Sequence, residues 1–353
     1  MAENHIKGVR HVMKGLRLSG AVLVLAAILI TGCGGGGGGG GGSVSQYTGL
    51  TSQAVLTDNN AETVALEAYK AGNTSTSTTG IMLLSTGEKT TTYSPAPLAI
   101  VSLLGNAMKT IPLPMEASAR ASSTQAAKPM AVVTATDTIF DGMGGSMSYT
   151  LSVDDQTGNF SGTFTFNSWH GDGGETFNGQ TVVSGNIDLA TGAFSRVTFS
   201  FNPVTFADGS GSFSIYGSIS MTVSASSGSA LLDVVLRNES SGETVWIDDY
   251  SVTTTYGPDA DFNGQPDYED ADLSGRIYLS NHGYVDIATA TAFRYYAGYE
   301  IPSRGQIVVT GAGGNSARLT VIEGVPFSSS YYVEADFDGL PGYEWRSIDH
   351  LWI

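Results

Sequence analysis

The chain has a single cysteine, Cys33, in 353 residues, so no disulfide can form within one molecule in any compartment. Basic residues are nearly as scarce. Sixteen Lys+Arg stand against 33 Asp+Glu, a formal net charge of −17, and no lysine follows Lys128. Affinity for phosphate backbones rests on lysine and arginine, so the expectation is a chain with no nucleic-acid partner and an attraction for cations. Histidine is rare too: of five, only His170, His282 and His350 lie beyond the first 32 residues, far apart in sequence. Neither Gly-x-Ser-x-Gly nor His-Glu-x-x-His occurs, which removes the sequence signatures of a nucleophile elbow and of a helical zinc site. The apolar run from Ala21 to Ile30 is well short of the ~20 residues a membrane-spanning helix needs.

That short run is nevertheless the first positive signal. From Met13 the chain reads MKGLRLSGAVLVLAAILITGC, with Lys14 and Arg17 ahead of the apolar stretch and small residues behind it. A basic n-region, a short h-region and a small-residue end describe an export signal, and Met13 starts a more typical one than Met1. Ile30-Thr31-Gly32-Cys33 resembles the lipobox of bacterial lipoproteins. That resemblance implies cleavage before Cys33 and acylation of its thiol, a firm membrane anchor when two or three chains are attached. Gly34 rather than Asp after the cysteine implies, by similarity to enterobacterial sorting, the outer membrane. Nine glycines, Gly34–Gly42, then read as a flexible tether spanning on the order of 20 Å.

Without residues 1–32 the chain keeps 12 Lys+Arg and 32 Asp+Glu, a formal charge of −20. Five segments are expected: a signal at 1–32, a lipidated cysteine and tether at 33–45, a helical segment at 46–111, a low-complexity linker at 112–130 and a β domain at 131–353, with a subdivision near 257–271. In "DNNAETVALEAYKAG", Asn59 or Asn60 offers an N-cap, Glu62 sits in the first turn and Gly72 follows Lys70 as a stop. "SPAPLAIVSLLGNAMKTIP" offers a second helix between Pro97 and Pro112. The stretch beginning "YTGLTSQAVLTDNNAETVALEAY" is similar to the N-termini of β-rich outer-membrane lipoproteins of proteobacteria.

From Ala131 the period becomes two. "SFSIYGSISMTVS" puts Phe213, Ile215, Ile219 and Met221 on one face and serines on the other, the pattern of antiparallel strands with one buried face. "VDDQTGNFS" and "IDLATGAFS" repeat 34 residues apart, and both read as hairpin loops with an Asp cap and a glycine turn. Ser-Gly pairs at Ser161, Ser184 and Ser274 mark bulges or close approaches. The fold expected is mainly β: a long antiparallel meander of about a dozen strands in a curved sandwich or incomplete barrel, with a short helical N-terminal segment.

The most specific chemical pattern is "DADFNGQPDYED". With Asp259 as position 1, Asp261, Asn263, Gln265, Asp267 and Asp270 take positions 3, 5, 7, 9 and 12 around Gly264, the oxygen spacing of a calcium loop. Asp270 is shorter than the usual Glu, and the flanks read as strands rather than helices. The stretch therefore resembles the lone acidic loops between strands of exported bacterial proteins. It fits one weakly held structural Ca²⁺ or an acidic solvated turn. "ADFNGQPDYE" recurs as "ADFDGLPGYE" from Ala335, identical at seven of ten positions. There Glu334, Asp336 and Asp338 are weaker metal candidates.

Other patterns read as scaffold. "TGAGGNSARL" has phosphate-loop glycines but strand-like flanks, which favours a hairpin. His170, Asp172 and Glu175 read as a surface loop. Asp154-Asp155 and Asp248-Asp249 are neighbours that regular strands would point to opposite faces. The functional expectation is a non-enzymatic lipoprotein of the outer membrane, facing the periplasm or the cell surface, with a β platform that binds a ligand or serves as structure. The rivals are an exported hydrolase, which needs opposed carboxylates or a metal cluster in a cleft, and a transmembrane barrel ending in "DHLWI".

Overall fold

In the computed structural model, the residues described are 44–72, 132–170, 176–189, 194–208, 211–224, 226–260, 266–296, 301–322, 329–340 and 342–351. The signal, Cys33, the tether, the second predicted helix and the linker lie outside them.

The alternation becomes one antiparallel meander. Its strands are β1 (Val132–Phe140), β2 (Ser146–Asp154), β3 (Asn159–His170), β4 (Thr176–Ile187), β5 (Phe194–Asp208), β6 (Gly211–Val223), β7 (Ser227–Asn238), β8 (Thr244–Tyr256), β9 (Tyr268–Leu279), β10 (Gly283–Tyr296), β11 (Arg304–Thr310), β12 (Ser316–Ile322), β13 (Ser330–Asp336), β14 (Trp345–Arg346) and β15 (His350–Leu351). Each of β1 to β13 bonds the next in order, while β15 joins β13 beside β14. The antiparallel meander is the one the periodicity anticipated, and the sheet is open, not closed into a barrel.

One face carries the core. Met147, Leu151, Phe164, Phe199, Ile215, Leu232, Ile247, Leu273, Phe293, Ile307, Leu319 and Val333, drawn from eleven strands, are almost entirely buried in one cluster. Within it Phe177, Phe206 and Phe213 lie opposite one another across β4, β5 and β6, with centroids 6.2 and 5.4 Å apart. Such aromatic pairs contribute about 0.5–1.5 kcal/mol each beyond their buried area. Two of the Ser-Gly pairs show how the glycines work. At Gly185 a side chain would collide with the ring of Phe160, which occupies that space. Gly275, at φ 143, sits against a β8 bulge where the register shifts between Asp248 and Ser251.

The "DNNAETVALEAYKAG" stretch forms α1 (Ala61–Gly72) as predicted. Asn60 is its N-cap, its carbonyl accepting from the Val64 N–H at 2.9 Å. Its side chain turns outward to the preceding turn, accepting from Thr57 N–H and donating to the Val55 carbonyl. Ala61, Val64, Ala65, Ala68 and Tyr69 are fully buried, the one-sided stripe of a helix laid on a core. α1 packs on the inner face against β8 and β11–β13.

The chain leading to α1 starts on the other face. Tyr47 packs on Trp246 and Tyr278, centroids 6.1 and 5.6 Å away, and those two rings stack at 4.3 Å in a small outward cluster separate from the core. Thr48 then bonds Thr244, and Leu50 N–H donates to the Ser280 carbonyl. Ser52 and Ala54 exchange bonds with both backbone groups of Tyr284, and Ala312 N–H donates to Ala54. By Leu56 the chain is in the core. Residues 44–56 thus form a strap hooked round the β9–β10 turn from the outer face to the inner.

Candidate metal centre

Of the first acidic loop, Asp261, Asn263 and Gln265 lie outside the described residues. Its base is clear. Gly257 N–H donates to Tyr268 and Asp267 N–H to Pro258, while the Asp267 carboxylate accepts from Ala260 N–H at 3.3 Å. Asp259 and Asp267 therefore flank the hairpin neck between β8 and β9. Asp270 is turned elsewhere. Its two oxygens accept from Arg294 Nε at 2.8 Å and Nη2 at 2.5 Å on the outer face of β10, and Arg304 lies 3.8 Å away. A bidentate guanidinium engages the carboxylate that position 12 would present to a cation.

The second copy gathers more. Asp336, Asp338 and Glu344 bring carboxylate oxygens within 4.8 Å of one another at the β13–β14 turn, a group that could hold a metal ion. Gly339, at φ 71, supplies the sharp turn that the glycine of the repeat predicts. The Asp336 carboxylate accepts from the N–H groups of Asp338 and Gly339, and Glu344 accepts from Phe337 N–H, so the cluster is braced by backbone without a cation. Glu334, grouped with the ligands by sequence, is not brought in: it pairs with Arg318 Nη2 at 2.5 Å on the sheet. Glu344 is the residue that sequence reasoning missed. Both copies of the repeat end in Tyr-Glu, which is the available signal, but a spacing that inspects positions 9 and 12 steps over position 11.

The same repeat folds in two registers. In the first copy Asp270 lies opposite Thr255, whereas in the second the equivalent Trp345 lies opposite Ala335, a hairpin tighter by five residues. That tightening turns Glu344 back over its own loop, whereas Glu269, its counterpart, faces the core side of β9.

His170 belongs to a structural clasp. Asp141, after β1, accepts from His170 Nδ1 at 2.6 Å, from His170 N–H at 2.9 Å, and from the N–H groups of Met143 and Gly145. These bonds hold the Asp141 carboxyl well below the usual range, against the opposing effect of its burial. Asp172 and Glu175 lie outside the described residues. Asp154 caps the β2–β3 turn through Gln156 and Thr157 N–H, as its repeat predicts. The expectation for Asp248 and Asp249 is corrected. Asp249 has φ 47 in the β8 bulge, so both residues fall between inward Ile247 and Tyr250 and turn outward together. Burial, then Asp249, then Asp233 push the Asp248 carboxyl up. Thr310–Ser316 is the β11–β12 hairpin, closed by a 3-10 turn at Ala312–Gly314.

No family model, no curated protein and no solved structure matches this chain.

Proposed function

We propose that the protein is a non-enzymatic, lipid-anchored lipoprotein of the outer membrane whose open sheet serves as a binding or structural platform. The observation that carries this reading is the strap. A signal ending in Ile30-Thr31-Gly32-Cys33 and a glycine tether lead directly into residues 44–50, which lie along the outer face of β8 and β9 and fix where the tether meets the folded body. The outward side chains also support tethering rather than spanning. Thr134, Thr136 and Thr138 bond Ser152, Thr150 and Ser148 in a hydroxyl ladder, and Arg276, Arg294 and Arg318 form ion pairs there. A hydrocarbon-facing strand would carry neither. Replacing Cys33 by Ser is expected to abolish acylation and release the protein from membranes. Retention of Cys33→Ser protein in salt-washed membranes would overturn the anchor.

Within this reading a calcium ion is the structural cofactor. The Asp336–Asp338–Glu344 group supports it at the β13–β14 turn, and Asp259–Asp267 supplies the second candidate loop. Lone acidic loops of this kind hold calcium on the order of 10⁻⁴–10⁻³ M. At a few multiples of that concentration the gain is about 1 kcal/mol. The expected outcome is a rise in melting temperature in calcium over chelator that Asp338→Asn removes if the β13–β14 turn binds, and that Asp261→Ala removes if the β8–β9 loop does. An identical melting temperature of the wild type in both solutions would leave both loops as solvated turns.

A further inference from the structure

At the last rungs of β8, β9 and β10, three side chains stand in one row on the inner face. Tyr256 is opposite Glu269, and Glu269 is opposite Tyr295. Opposed side chains on one face have Cβ atoms about 4.5–5.5 Å apart. Their inward direction follows from their neighbours two residues along, Thr254, Ala271 and Phe293, all buried, the last two in the core cluster. From α1, Tyr69 closes the back of the row: its hydroxyl bonds that of Tyr295 at 2.8 Å, and its ring lies 4.8 Å from Phe293. Tyr250, three rungs deeper, donates to the Ala68 carbonyl at 3.4 Å.

Two features of this row lack a structural explanation. Glu269 is the only carboxylate in it, and no described residue gives it a hydrogen bond or a cation. Arg294 and Arg304 face outward with Asp270, and Lys70 on α1 interacts with Glu67. One rung down, the Thr254 hydroxyl is fully buried and bonded to no described residue. A buried polar atom without a partner is costly and needs an account. The row is partly exposed at the sheet end, and among the described residues Tyr69, Tyr250 and Thr254 are buried behind it.

We propose that this row is a binding site for a small organic ammonium ion, seated against the Glu269 carboxylate and the faces of Tyr256 and Tyr295. A carboxylate supplies the counter-charge, and tyrosine faces attract a cation by their quadrupole, most strongly where water is excluded. Such a site favours an alkylated ammonium over a hydrated metal ion, because phenol rings offer no hard oxygen shell. The site names the ligand class for the platform proposed above and rests on that reading. The anchor is tested separately by membrane partition of Cys33→Ser, so either idea can fail alone.

The groups that face Glu269 are Tyr256 and Tyr295 from β8 and β10 and Tyr69 from α1, whereas Asp270 and Asp272 point to the other face of β9.

The test is calorimetric titration of the full chain in detergent with tetramethylammonium and with butylammonium. Saturable binding of at least one is expected at pH 8 and is absent in Glu269→Gln. Tyr256→Leu, which removes one aromatic face, should weaken it severalfold. Tyr295→Phe, which keeps the ring, should preserve it. Circular dichroism and melting of each variant confirm that the sheet is intact. No saturable binding of either probe at pH 8 would sink the proposal, as would binding unchanged in Glu269→Gln. Displacement of the ammonium by millimolar calcium would also overturn it, in favour of a metal site.

Discussion

At the scale of single residues, the ionisable groups divide into two sets with opposite pH signatures. Asp141 is held below its ordinary 3.8 by the His170 and loop N–H bonds, so the stability it contributes is fully present above about pH 4 and is lost as the pH falls further. Asp141→Asn should melt lower at pH 7 yet lose less on acidification to pH 3, as read by thermal denaturation across that range. Glu67 and Glu269 are both pushed up to about 7 by burial, Glu67 with Lys70 opposing and Glu243 reinforcing the shift. Their unfolded forms ionise near 4.5, so stability falls as pH rises from there and levels off above 7. For Glu269 the cost at pH 8 is up to about 3 kcal/mol, taking 1.36 kcal/mol per pH unit. Glu269→Gln should therefore be the more stable protein at pH 8 and equal to wild type at pH 4. The sequence pointed to both acidic loops, and the structure sets Asp270 and Glu334 against arginines and brings Glu344 beside Asp336 and Asp338. Alternation and spacing say which residue types recur, whereas Asp270, Glu334 and Glu344 were sorted by cross-strand register, which placed an arginine beside the first two and a loop beside the third.

At the scale of elements, the period-two stretches and the α1 start and stop were legible because one buried face imposes its pattern on every residue. The strap was not. "VSQYTGLTSQAVL" has no period, and its order comes from bonds to residues more than two hundred positions away, such as Leu50 to Ser280 and Tyr284 to Ser52. Bulges were legible only where a glycine marked them. Gly275 announces the β8 shift in which Asp249 adopts φ 47, whereas Ser168 adopts φ 48 with no such sign in its own strand. Tyr47→Ala should uncover the stacked Trp246–Tyr278 pair and cost about 1–3 kcal/mol, the order expected for losing a partly buried aromatic. A red shift of tryptophan emission at unchanged circular dichroism would report it. Both measurements unchanged would mean that the strap is held by its backbone bonds alone.

At the scale of the whole molecule, the open sheet has edges to manage. β1 pairs with β2 over nine uninterrupted residues, with no bulge, proline or lysine to protect its other side. What it has is Asp137, on the same face as the core-packed Ala135 and Ile139. An inward-pointing charge on an edge strand disfavours addition of another strand, and Asp137→Val should promote concentration-dependent association visible by light scattering. The scarcity of cations has a visible outcome as well. Six of the seven arginines beyond Lys128 lie within 4 Å of a carboxylate, and four of those also cover a tyrosine ring, so few remain to offset the acidic surface. The hook made by residues 44–56 also dictates a timetable. Its partners, from Thr244 to Ala312, are synthesised much later, and closing loops of nearly 200 residues is slow compared with local hairpin formation. The first part of the folded body to leave the ribosome must therefore wait, unpaired, until the last strands have formed, and the amides of Leu50 and Ala54 should be the latest to gain protection in refolding.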